Sequence, residues 1–180
     1  MSGHLVSVVV AACTAALIAP ASAEHKSLPT GAFEITHTLV LSGAPEEIYD
    51  AITGDISGWW DHSVSEQPAR FFIEAKPGGG FWEYFDAQGE SGVRHATVTC
   101  AERGKLLRFE GPLGLAGNAI LMVHTYAFEA SEEGKTRLTL TVRASGQMEE
   151  GWAETVDRVW HHFLFERFQP WVEAGKHLER

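Results

Sequence analysis

Alternating hydrophobic and polar residues run through most of the chain and predict β-strands. The predicted strands are residues 33–41, 71–76, 81–85, 94–101, 106–110, 120–129 and 136–144. Alternation with a period of two is typical of a strand that buries one face. Short polar or glycine-rich turns, such as residues 77–80, separate several of these segments. We therefore expect consecutive strands that pair in an antiparallel sheet.

Two short helices are predicted directly after the first strand. Pro45 suits the first helical position, and the two glutamates that follow it suit the positive end of the helix dipole. Gly54 ends this segment. Asp55 can then cap a second short helix that holds Trp59 and Trp60.

One long helix is predicted at the C-terminal end, over residues 148–174. Its apolar residues recur at helical spacing, and Pro170 should kink the helix or end its regular part. The apolar positions are Trp152, Val156, Val159, Trp160, Phe163, Leu164, Phe168 and Trp171. Such a helix must bury this face against the sheet, which makes the class α+β.

Several short motifs, in their order along the chain, resemble the START-like (SRPBCC) helix-grip superfamily, which shares the Bet v 1-like fold. They are residues 44–52 (APEEIYDAI), the Trp59–Trp60 pair, residues 76–81 (KPGGGF), 104–109 (GKLLRF) and 134–138 (GKTRL). The resemblance covers residues 33–175 and is strongest to the branch of the heat-shock-protein-90 ATPase activator's C-terminal domain. It implies a curved antiparallel sheet around a long C-terminal helix, with a cavity between them.

The superfamily includes lipid and sterol carriers, hormone receptors and polyketide cyclases. This branch has no shared catalytic motif, so the resemblance assigns no catalytic residue. A function inferred from a shared fold is an analogy only.

The first 23 residues are typical of a secretory signal peptide. An apolar run without charged side chains ends at Pro20, and an A-x-A site places cleavage after Ala23. We therefore expect a leader at residues 24–32, one domain at 33–176, and a periplasmic or secreted location. Lipidation at Cys13 and a retained anchor stay open as alternatives. Export argues against a heat-shock-protein partner.

The net charge limits the classes of binding partner, and the cysteine content excludes a disulfide within the mature domain. The formal net charge is −10, without a basic stripe, which argues against nucleic-acid binding. Any membrane contact should be transient. Cys100 alone remains after cleavage, so the core must hold the domain without a disulfide.

Metal-binding spacings such as His-x3-His are absent from the sequence, and residues 77–80 predict a hairpin and not a phosphate loop. We expect neither a metal nor a cofactor.

Aromatic residues are the best candidates for the lining of a cavity, because ligand pockets are mostly apolar with a few polar groups. Trp82 and Tyr84 share one strand face, and Glu83 lies on the other, where we expect solvent or, if that face is buried, an acid with a raised pKa. The predicted ligand-binding residues are Trp60, Trp82, Tyr84, His124, Tyr126, Trp152, Val156 and Trp160.

Two histidines differ in their expected surroundings. His124 alternates with Met122 and Tyr126, which places it among apolar neighbours as a candidate general base. His95 lies opposite the Val98 face and is expected to point to solvent. The apolar loop at residues 111–117 can be a lid, a contact patch or a packed loop.

The sequence therefore predicts an exported protein that holds a small hydrophobic molecule between its sheet and its long helix. The aromatic excess motivates this hypothesis, and the lack of a catalytic constellation favours binding over catalysis. Two alternatives stay open. One is a cofactor-independent enzyme of cyclase, aromatase or hydrolase type that uses the same cavity. The other is a protein-interaction module that docks through residues 111–117.

Overall fold

The computed structural model describes residues 24–179, and the predicted signal peptide with its Cys13 alternative lies outside this range. One antiparallel sheet of eight strands dominates the described chain. The strands are β1 (Thr30–Ser42), β2 (Gly54–Asp55), β3 (Arg70–Ile73), β4 (Gly80–Tyr84), β5 (Gly92–Glu102), β6 (Leu106–Glu110), β7 (Ile120–Ala130) and β8 (Lys135–Gln147). Their spatial order is β1-β8-β7-β6-β5-β4-β3-β2.

The helices lie at the two ends of the strand series. α1 (Pro45–Ile52) follows β1, while α2 (Trp152–His161) and α3 (Gln169–Glu173) follow β8. A π-helical segment, His162–Phe168, joins α2 to α3, and short 3-10 turns occur at Leu113–Leu115, Glu132–Gly134 and Lys176–Leu178. Within residues 24–179, no helix is both long and apolar enough to cross a membrane.

The predicted α+β class and the helix-grip arrangement are confirmed. All seven predicted strands form, and β1 begins at Thr30, inside the predicted leader. The inward face of β7 is the predicted one: Met122, His124 and Tyr126 are buried together with Phe128. His124 and Tyr126 pack against Trp160 of the C-terminal helix, whereas Phe128 packs against Tyr49 of α1, so the core lies between the sheet and these helices.

The prediction of a second short helix after α1 is wrong. Asp55 pairs with Phe72 as part of β2, and its carboxylate accepts hydrogen bonds from the backbone and hydroxyl of Ser57 at 2.9 and 2.7 Å. This local turn satisfies the backbone that a helix would otherwise need to pair. The chain makes only one turn at Trp59 and Trp60, whose amides both donate to the carbonyl of Ile56.

The C-terminal helix begins later than predicted and changes its pitch midway. β8 continues to Gln147, and Gly151 adopts a left-handed φ of 81° at the N-cap. The pitch changes before Pro170, whose ring would clash with the carbonyl four residues earlier in a regular α-helix. Here the amide of Gln169 donates to the carbonyl of Leu164, five residues back. The wider turn accommodates the proline without ending the helix. The α2 helix, the π-helical segment and α3 therefore form one continuous helical rod.

The loop after β6 provides a test of how tightly the sheet is packed. A Cβ atom on Gly111 would lie 2.2 Å from the backbone oxygen of His95, whereas one on Gly114 would meet nothing within 4 Å. We expect Gly111→Ala to destabilise the fold by about 1–3 kcal/mol, because backbone atoms cannot move aside. Gly114→Ala is the matched control and should change stability by less than about 0.5 kcal/mol. Urea unfolding midpoints measure both, and equal midpoints would contradict the described packing.

Candidate functional site

A cavity of about 450 Å³ lies between the sheet and the C-terminal helix. This volume is within the range of about 300–1,000 Å³ that small-molecule sites occupy. The sheet contributes Phe71, Phe81, His95 and Met122, and the helical rod contributes Thr155, Val156, Val159, Trp160 and Phe163. Two loops complete the wall, with Trp60, His62, Ser63 and Val64 on one side and Pro112, Leu113, Gly114 and Leu115 on the other.

Aromatic rings form one end of this cavity. Trp60 stacks on Phe163 with ring centroids 3.9 Å apart, and it makes a T-shaped contact with Phe81 with ring centroids 5.1 Å apart. The indole N–H of Trp60 donates to the backbone oxygen of His62 at 2.6 Å, so this ring has a fixed orientation. Trp160 is only 2% exposed and packs beside Phe163. The helical rod and the loop therefore meet through aromatic contacts at the cavity wall.

A β-bulge turns His95 toward this cavity. Arg94 pairs with Trp82 and Ala96 pairs with Phe81, so His95 is the extra residue of β5 that no residue of β4 opposes. An extra residue shifts the alternation and re-aims a side chain. As a result, His95 and Ala96 are both buried. The expectation that His95 faces solvent is wrong for this reason.

Glu83 holds the imidazole of His95 from behind. The Glu83 side chain is 0% exposed, and one of its oxygens lies 2.9 Å from Nε2 of His95. The same carboxylate accepts the backbone N–H groups of Val64 and Ser65 at 2.9 and 2.8 Å. A carboxylate only accepts, so Nε2 of His95 carries the shared hydrogen and Nδ1 is the nitrogen left over.

The charge state of Glu83 follows from these bonds. Burial acts to raise the pKa of the Glu83 carboxyl, but the hydrogen bonds from Ser65, Val64 and His95 outweigh it and lower the pKa. Glu83 is therefore an ionised anchor, and the expectations of a solvated position or of an acid with a raised pKa are both wrong. Its chemical role is to orient His95 and to hold the loop that contains Val64.

The predicted ligand-binding residues, which include neither His95 nor Glu83, lie in different parts of the structure. Trp60, Val156 and Trp160 line the cavity. His124 and Tyr126 lie inside the core next to Trp160, with ring centroids 5.3 and 6.1 Å from it, and Trp152 is half-buried; none of these three lines the cavity.

Trp82 and Tyr84 require a correction, because they lie on the outer face of β4. The indole N–H of Trp82 donates to Glu74 at 3.0 Å, and the two rings pack together at 5.6 Å. Phe81 and Glu83 occupy the inner face instead. Alternation indicates which residues share a face but does not indicate which face is buried.

The loop at residues 111–117 packs against the cavity. Leu113 and Leu115 lie in its 3-10 turn and line the cavity wall, which fits the lid and packed-loop interpretations better than an outward contact patch. Leu113 has a left-handed φ of 49°, a conformation that costs free energy for any residue that carries a Cβ atom. The apolar contacts of the two leucines must offset that cost.

A second hollow of about 440 Å³ lies at β1, β7 and β8 and is a weaker candidate. Its charged groups are Glu34 and Arg143, an exposed ion pair at 2.6 Å. Exposed pairs of this kind add little binding or stability. The sheet–helix cavity has the buried and oriented His95, so we regard it as the candidate functional site.

Comparisons with known proteins agree with this architecture. No known family model matches the sequence, and no curated protein matches it either. Among solved structures, the chain is similar to the Aha1 dimer of Colwellia psychrerythraea, at 21% identity and a TM-score of 0.54 over 80% of this chain and 98% of that one. It is also similar to MLL2253 of Mesorhizobium loti, at 17% identity and a TM-score of 0.55, covering 79% and 98% of the two chains.

A protein of unknown function from Staphylococcus aureus, SA2116, has the same fold at 14% identity and a TM-score of 0.56, covering 82% of this chain and 97% of that one. These likenesses confirm the predicted resemblance: the chain has an Aha1-like helix-grip fold. Identities this low show the fold alone, so no activity is carried over from these proteins.

His124 generates a prediction about stability. It is 0% exposed, neither ring nitrogen has a hydrogen-bond partner within residues 24–179, and burial lowers its pKa to about 3. Because the folded pKa is below the unfolded value of about 6.5, the unfolded chain binds more protons and stability falls as pH drops below that value. The free energy of unfolding of the wild-type protein should therefore fall by about 2 kcal/mol between pH 7.5 and pH 5 because of His124. We expect His124→Leu to abolish this fall.

Urea unfolding of both proteins at the two pH values measures this difference. The comparison between variants removes the contribution of other histidines, and Glu83 titrates below this window because its pKa is lowered. His124→Leu should also stabilise the fold at both pH values, since it removes two unpaired polar atoms. An unchanged pH dependence in the variant would contradict a buried neutral His124.

Proposed function

We propose that this protein binds a small, largely apolar molecule that carries one hydrogen-bonding group. The observation that carries the proposal is the cavity of about 450 Å³ with apolar walls and a fixed imidazole at one of them. Apolar lining supplies affinity through the burial of surface, and a placed polar group supplies orientation. This pattern suits a carrier or sensor, in agreement with the prediction from the sequence.

His95 is the group that selects the polar part of the ligand. Its Nε2 is engaged with Glu83, so Nδ1 of a neutral ring can accept a hydrogen bond from a hydroxyl or an amide. The buried Glu83 also prevents the imidazole from rotating away. Phe71 and Phe81 flank the ring at 5.7 and 5.2 Å, which keeps bulk water from this position.

A second candidate function is cofactor-independent acid–base catalysis in the same cavity. The specific observation is the Glu83–His95 pair, because a base oriented by a buried carboxylate is the arrangement that general-base catalysis uses. His95 would take a proton from a bound substrate, and Glu83 would stabilise the resulting imidazolium. His124 cannot take this role, since it does not line the cavity.

Filling the cavity tests the binding proposal. Val156→Phe places a ring into the cavity, whereas Val40→Phe makes the same change at a position of β1 that is 44% exposed. We expect Val156→Phe to lower the affinity for naphthalene at least about tenfold, because the space for the guest is lost. Tryptophan fluorescence titration measures this, with Val40→Phe expected to match the wild type. Equal affinity in all three proteins would refute binding in this cavity.

Matched probes test the role of His95. Naphthalene and 2-naphthol differ by one hydroxyl, and His95→Gln keeps a donor for Glu83 while it changes the acceptor offered to the ligand. We expect the variant to weaken 2-naphthol binding about tenfold, the value of one hydrogen bond, and to leave naphthalene binding unchanged. Parallel losses for both probes would show that His95 only shapes the cavity. If a substrate is found, loss of turnover in His95→Gln with retained binding would favour the enzymatic candidate.

A further inference from the structure

Two histidines and one aspartate lie close together at the edge of the cavity. They come from two segments of the chain that are about 100 residues apart in the sequence. Asp61 and His62 lie in the loop after β2, and His162 is the first residue of the π-helical segment. One ligating atom from each of the three residues lies within 4.8 Å of the others. Nδ1 of His62 is 2.8 Å from one oxygen of Asp61, and Nε2 of His162 is 3.0 Å from the other.

We propose that Asp61, His62 and His162 bind a divalent transition-metal ion of the Zn²⁺ class. Two imidazoles and a carboxylate are a donor set that Zn²⁺ accepts, with metal–ligand distances of about 2.0–2.2 Å. Tetrahedral ligands at those distances lie about 3.4 Å apart, so small side-chain movements would bring the three atoms into place. Three protein ligands leave a coordination position open.

Glu166 gives this cluster the support that metal-binding histidines have. Its carboxylate accepts from Nδ1 of His162 at 2.9 Å, one helical turn away, and this bond directs Nε2 toward Asp61. A carboxylate behind a ligating imidazole fixes the ring orientation and raises its basicity as a ligand. The cluster therefore contains both the ligands and a group that positions one of them.

Some charges around the cluster favour the binding of a cation, and one charge opposes it. The formal net charge of −10 attracts cations to the whole molecule. Locally, Nε of Arg167 lies 3.1 Å from Asp61 and competes with a metal for that oxygen. The metal must displace this contact and the hydrogen bonds from His62 and His162, so we expect binding of moderate strength that improves in Arg167→Ala.

The open coordination position would lie beside the cavity, because His62 belongs to both sites. His62 lines the cavity wall, and its ring lies 4.9 Å from Phe163, which also lines it. A polar group of a cavity ligand could therefore reach the ion. The metal site does not require the proposed ligand, so each can be tested without the other.

The test is equilibrium dialysis of untagged protein against Zn²⁺ alone, followed by Co²⁺ as a spectroscopic substitute. We expect one ion per chain, an affinity at least about tenfold lower in His62→Ala and in His162→Ala, and about tenfold lower in Glu166→Gln. His25→Ala is the control: it removes an exposed histidine near the start of the described chain, outside the three-residue cluster, and should bind like the wild type.

Bound Co²⁺ should give visible absorption bands that the His62→Ala variant loses, which distinguishes ligation from loose surface binding. The Val156→Phe variant should retain Zn²⁺ binding even though its cavity is filled. No Zn²⁺ binding by the wild type, or equal affinity in a protein with both His62→Ala and His162→Ala, would overturn the proposal.

Discussion

The buried carboxylate of Glu83 connects three parts of the molecule that would otherwise be independent. It belongs to β4, it accepts two backbone amides of the loop that contains Val64, and it binds the imidazole of His95 on β5. A buried charge depends on its hydrogen-bond donors, and the loss of one such bond to a charged group costs about 1.5–3 kcal/mol. The loop, the bulge and the cavity wall therefore form together.

The C-terminal rod completes the site through an irregularity in its own backbone. The π-helical segment lets Pro170 remain inside the helix, and it also determines how consecutive side chains are divided between two environments. Phe163 lies in the cavity wall, whereas His162 lies next to Asp61 outside it. A wider turn thus serves both the apolar cavity and the polar cluster at its edge, as π-helical segments often do at functional sites.

Periodicity predicted most of the architecture, because strands and helices repeat their burial at fixed intervals. It predicted the buried face of β7 around Met122 and Tyr126, and the apolar side of the final helix around Trp160. It failed for Trp82 and Tyr84, since alternation does not identify the inner face, and for His95, since a single extra residue reverses the pattern. The approach of His162 to Asp61 is a tertiary contact that no local spacing indicates.

The pairing of β1 has a consequence for how the chain folds. Thr30 pairs with Gln147, and Ser42 pairs with Lys135, so the earliest strand finds its neighbour only in the latest one. Contacts between such distant segments carry a large loop-closure entropy and slow the search for the native state. During synthesis the first strand has no place in the sheet until almost the whole chain has emerged. Until that moment its thirteen residues stay unpaired and exposed. The chain is therefore most prone to aggregation during this interval.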